Sequence, residues 1–164
     1  MGRAGMVGDE IGSALIGARL VRDLMRLCFL MEKTYAPYPK WFGTAFNQLD
    51  CAPELAPHLS AALKADAWRE RQGHLARAYQ IVAEKHNALR ITGPLPVEPR
   101  DFFGRPFLVI DLHGYADATL ALVKDERVRR IAARRPVGNI DLFSDSTDLV
   151  SYASWRETLR KLYE

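Results

Sequence analysis

Over residues 7–35, apolar side chains return at three- and four-residue steps: Ile11, Leu15, Ala18, Val21, Leu24, Met25, Cys28 and Phe29. That interval follows one face of an α-helix. Asp9 and Glu10 suit the positive end of the helix dipole at its start. Pro37 stops it, because proline removes a backbone donor and restricts the residue in front of it. The richest apolar stretch, LVRDLMRLCFLM, is interrupted by Arg22, Asp23 and Arg26, so it reads as a buried helix of a soluble protein. No apolar run approaches the ~20 residues needed to cross a bilayer.

The rest of the pattern is also mainly helical. A short helix is expected over 39–49, with Trp41, Phe42, Ala45 and Phe46 on neighbouring faces. Asp50 is expected to cap another helix that has Pro53 in its first turn. Asp66 opens the next long helix, whose apolar stripe is Trp68, Leu75, Ala78, Tyr79, Val82, His86 and Leu89. Four prolines between positions 94 and 106 predict an extended connection. FLVID reads as one strand, and since a lone strand forms no sheet, NIDLF is assigned as its partner. Helices over 115–124 and 125–134, a turn-rich segment and a short closing helix, SWRETLRKLY, complete the chain. The expected fold class is mainly α: a helical bundle with at most one small strand pair, forming a single helical domain over residues 1–164.

An apolar content of 48% with 26% charged residues is that of an ordinary globular chain. The net charge of +3 is mild, and its densest part is RVRRIAARR at 127–135. Such runs on short helices are usually solvated faces, so nucleic acid is not indicated and no membrane partner is expected. The N-terminal stretch has too many glycines, and its acids come too early, for a secretory signal. Cys28 and Cys51 are therefore expected as reduced thiols in a cytoplasm.

Arg19, Arg22, Arg26 and Lys33, with Asp23 beside them, form a polar stripe at helical spacing. Arginine forks suit phosphate or carboxylate, while a solvated edge would show the same pattern. The stretch MEKTYAPYPKWFGTAF gathers Tyr35, Tyr38, Trp41, Phe42 and Phe46 around Lys40. These rings could fill a helix-to-helix corner or form a stacking wall, and periodicity alone assigns them to the core. His58, His74, His86 and His113 lack any short ligand spacing, so no metal site is expected. Asp141, Asp145 and Asp148 lie close together in sequence, as turn and capping residues often do. Arg69 and His74 match the arginine-to-histidine spacing of the HEPN ribonucleases, in which arginine would stabilise a phosphorane and histidine move the proton.

The run GDEIGSALIGARLVRDLMRLCFLMEKTYAPYPKWFGTAF, with EKHNAL, GRPFLVI and VGNIDLFSDSTDLVS in order, resembles the bacterial family called domain of unknown function 4037. The resemblance spans positions 8–151. It implies a helical region that follows a nucleotidyltransferase-like domain, similar to the helical C-terminal half of antibiotic nucleotidyltransferases. The catalytic half of such proteins needs a glycine–serine turn and carboxylates that hold magnesium and a nucleoside triphosphate. Neither stands in a credible context here, so the chain is expected to lack the catalytic domain and to be inactive alone. Mg and a nucleoside triphosphate are implied for that absent half alone, with none bound by this chain.

The resemblance gives the aromatic corner a ligand-facing role. Core packing asks for ring volume, but not for Tyr38, Lys40 and Thr44 around Trp41. The candidate substrate-binding residues are Arg22, Asp23, Tyr35, Tyr38, Lys40 and Trp41, with Phe42 and Phe46 assigned to the core. The expected function is that of an accessory, substrate-binding helical domain whose partner is a nucleotidyltransferase-like domain in cis or in trans, together with a small-molecule substrate. The alternatives are an RNA-cleaving helical domain built on Arg69 and His74 as a homodimer, and a protein-interaction module.

Overall fold

A computed structural model of the chain describes residues 1–110, 112–133 and 152–164. These residues fall into two compact units, Met1–Ala118 and Thr119–Glu164. The first unit opens with a single helical turn, α1 (Gly2–Met6), followed by α2 (Glu10–Met31), α3 (Pro39–Phe46), α4 (Ala52–Lys64) and α5 (Trp68–Ala88). A small sheet of β1 (Arg100–Phe102) and β2 (Arg105–Val109) follows, and α6 (Leu112–Leu120) begins in this unit. The second unit contains α7 (Glu126–Ala132), a 3₁₀ turn (Ala153–Trp155) and α8 (Arg156–Arg160). The fold is mainly α, as the periodicity predicts.

The long first helix begins where its acids place it. Asp9 is the N-cap, and its carboxylate accepts from the Gly12 N–H at 2.7 Å, satisfying one of the donors that a helix start leaves over. The helix ends earlier than Pro37 requires. Lys33 takes a left-handed φ of 52°, while Thr34 N–H donates to Phe29 C=O and Lys33 N–H to Leu30 C=O. That is a Schellman termination, built on lysine where glycine is usual.

The core is formed by one side of α2 with α3, α4 and α5. Val21, Leu24, Cys28 and Phe29 meet Phe46, Leu49, Leu55, Leu59, Leu75, Ala78, Ile81 and Val82. Ile11 and Leu15, which continue the same apolar series in sequence, are instead 78% and 69% exposed. At 100° per residue they lie across the helix from Leu24 and Cys28, so a single apolar series divides between two faces.

Two of the expected capping roles go to residues distant in sequence. Asp50 does not cap α4; Cys51 occupies the N-cap position, and its side chain makes no capping bond. The Glu32 carboxylate reaches across from the end of α2 and accepts from Asp50 N–H at 2.8 Å and Cys51 N–H at 3.0 Å. Likewise α5 starts at Trp68 behind Ala67, and its first N–H donates to Glu10 at 3.1 Å. The two ends of α2 thus supply the acids that satisfy the starts of its two neighbours.

The expected strand forms over Arg105–Val109, which takes in Phe107, Leu108 and Val109 of FLVID, and its partner is Arg100–Phe102 on its N-terminal side. The pairing is antiparallel, and Phe103 and Gly104 form the two-residue turn with φ of 48° and 70°, the type I′ arrangement that suits strand twist. The proline-rich connection therefore ends in a strand, which its prolines masked in the sequence. NIDLF lies outside the described residues. Asn87 anchors the connection by donating to Leu95 C=O at 2.8 Å and accepting from Leu95 N–H at 3.0 Å. Tyr115 adds a hydroxyl bond to Pro96 C=O.

Candidate functional site

The aromatic corner divides into an inner and an outer set. Phe46 is 2% exposed and Phe42 packs on the core. Their rings lie 6.4 Å and 5.3 Å from that of Phe29, within the range of favourable aromatic pairs. This matches the assignment of both phenylalanines to the core. Trp41, Tyr38 and Tyr35 are 50%, 48% and 85% exposed. None of the three belongs to the buried core, where periodicity alone assigned them.

Local chemistry explains the division. Pro39 occupies the first turn of α3 behind Tyr38, whose backbone is extended, the position where a missing N–H costs nothing. Tyr38 C=O accepts from Trp41 N–H at 3.1 Å, so the first turn holds both residues one turn apart. Phe42 and Phe46, four residues apart, face inward together. The Lys40 ammonium stands 5.4 Å from the centre of the Trp41 ring, a cation–π approach at an open surface.

On α2, Arg26 places its guanidinium 5.7 Å over the Phe42 ring. Arg22 and Asp23 lie one turn before it and are half-buried, so they share the part of α2 that leads to α3. The structure therefore brings Tyr38, Lys40 and Trp41 together at the start of α3 and sets Arg26, one turn after Arg22 on α2, over Phe42. Arg19 and Lys33 are exposed.

Arg69 and His74 point to different neighbours. The Arg69 guanidinium lies 4.4 Å over the Trp68 ring, while the His74 ring is 6.4 Å from that of His58 on α4. Among the described residues, no group of three or more His, Cys, Asp or Glu side chains gathers as metal ligands would. Asp141, Asp145 and Asp148 lie outside the described residues. The described part of the basic run, Arg127, Arg129 and Arg130 on α7, is exposed behind the Asp125 cap.

Two polar residues of structural weight escaped the sequence reading. Arg71 is 3% exposed; it donates to Ser13 Oγ at 2.9 Å, Glu10 Oε2 at 3.2 Å and Ala65 C=O at 2.6 Å. Its position between Trp68 and Leu75 on the apolar stripe of α5 was the available signal. Glu32 is the other. Burial opposes its charge, but the Cys51 thiol, the Asp50 and Cys51 N–H groups and the Lys85 ammonium outweigh that cost and hold its carboxyl below the usual range. No short-range pattern announces a partner 18 residues away.

Fold and corner together define a helical domain with a solvent-facing wall of aromatic and basic side chains. Residues 1–42 match the family model described as domain of unknown function (DUF4037). The match supports the family resemblance and includes Arg22, Asp23, Tyr35, Tyr38, Lys40 and Trp41. Comparison with curated proteins gives no match, and comparison with solved structures gives none either.

Proposed function

We propose that this chain acts as an accessory helical domain that supplies ligand-side contacts to a nucleotidyltransferase-like catalytic unit. The observation that carries the reading is the exposure of Tyr35, Tyr38 and Trp41, with Lys40 over the Trp41 ring, while Phe42 and Phe46 of the same corner pack inward. Aromatic faces left open next to a cation suit a planar or ring-bearing ligand. The open outer face of α2, with Ile11 and Leu15, suits docking of a further domain. Chemistry on the bound ligand, and any magnesium or triphosphate it requires, belongs to the catalytic unit. The two buried, free cysteines suit a reducing compartment, and the reading places the chain in a bacterial cytoplasm.

Thermal unfolding against a panel of nucleotides, aminoglycosides, sugars and short RNAs tests the reading. A ligand at a hundred times its Kd adds about 2.7 kcal/mol to stability. A compound that raises the wild-type midpoint and leaves Lys40→Ala unmoved supports it. No response across the panel, or an equal response in Lys40→Ala, removes the corner from the function.

A further inference from the structure

The charge around the corner narrows the ligand, given the reading of this corner as a ligand wall. Residues 33–49 carry two cations, Lys33 and Lys40, and no carboxylate. Glu32, immediately before them, is committed to the N–H groups that start α4, so its charge is already met. Arg22 and Arg26 add positive charge on α2, and beyond Glu32 the next acids along the chain on either side are Asp23 and Asp50. A polycationic ligand would find little counter-charge here. A neutral ring would gain stacking on Trp41 but nothing from the ammonium beside it.

We propose that the corner takes a planar aromatic ring carrying phosphate, in chemical class a nucleoside phosphate. The ring stacks on Trp41, with Tyr38 one turn away on the same helix start, and the anion lies by Lys40. The half-exposed indole with Lys40 Nζ 5.4 Å over its ring sets an aromatic surface and a cation together: a base that takes the place of the ammonium over the indole leaves Lys40 beside it to meet the phosphate. Stacking on one aromatic contributes about 1–3 kcal/mol per base. A lysine acts on the phosphate as a point charge, which salt screens at an open site.

The test is calorimetric titration of the 164-residue chain with adenosine 5′-monophosphate, adenosine, inorganic phosphate and an aminoglycoside, each at low and high salt. The monophosphate is expected to bind at least about tenfold more tightly than adenosine or phosphate alone, since it draws on both stacking and charge. Lys40→Ala should bring it down to the adenosine level, Lys40→Arg should restore it, and Trp41→Ala should weaken it about tenfold or more. Both altered side chains are exposed, and a thermal melt of each variant separates lost binding from lost fold. Adenosine equal to its monophosphate, or an aminoglycoside binding more tightly than either, overturns the anionic class while the ligand wall stands. Heat from none of the four, or binding unchanged in Trp41→Ala, overturns the class and the wall together.

Discussion

The Glu32 carboxylate spans the start of α4 and bonds to Cys51 N–H at 3.0 Å, 19 residues along the chain. The last turn of α2 is thereby fixed to a neighbouring helix immediately before the chain enters the aromatic corner. Replacing Glu32 with Gln should cost about 1–3 kcal/mol, the penalty for weakening charge-assisted bonds to otherwise orphaned donors. The pH dependence has a definite sign. The folded carboxyl titrates below its ordinary value of 4.5, so its stabilisation is present above that value and is lost as pH falls through the lower, folded one. Urea unfolding at a series of pH values should show this acid loss in wild type and a flatter profile in Glu32→Gln. Parallel profiles would show that Glu32 contributes no charge-dependent stability.

A second expectation concerns close approach between helices. A Cβ on Gly17 would come 2.6 Å from Arg71 Cδ, and that side chain is held by three buried or half-buried acceptors. Gly17→Ala should therefore destabilise by about 1–3 kcal/mol, as overpacking of a fixed site does. Arg71→Ala should itself be costly, by about 2–3 kcal/mol, because Ser13 Oγ and Ala65 C=O lose a buried donor. In the double variant the clash has no counterpart, so the two costs should fall short of additivity. Denaturant midpoints of the four proteins measure the coupling.

The inner and outer rings of the corner should separate in stability. Phe46→Ala removes a fully packed side chain and should cost about 3–5 kcal/mol. Trp41→Ala, at a half-exposed position, should cost under about 1 kcal/mol. Comparable losses in thermal unfolding would return Trp41 to the core and undo the reading of the corner.

Cys28 and Cys51 should be silent toward thiol reagents in the folded chain. Burial pushes both thiols up, and Cys51 is raised further by its bond to the Glu32 carboxylate and by the neighbouring Cys28, so little thiolate forms at neutral pH. An aromatic disulfide reagent is expected to titrate no thiols under native conditions and both cysteines in denaturant. Rapid native labelling would show that the end of α2 opens readily.

Much of this fold was legible in the sequence because helix formation is written at short range. Three- and four-residue spacing located α2 and α5, Asp9 marked the start of α2, and Pro39 and Pro53 marked the first turns of α3 and α4. The inward role of Phe42 and Phe46 followed from the same periodicity. Tertiary structure decided what each face meets. Ile11 and Leu15 look like core and lie open, whereas Arg71 looks like surface and is buried. An apolar stripe states that a face can be buried, but which part is covered depends on the helices opposite. A buried charge is tolerated where partners converge, and those of Arg71 on α2 lie 58 and 61 residues away. Glu32, Glu10 and the strand pairing of Arg100–Phe102 were settled in the same way, through contacts that form once the chain has folded back on itself.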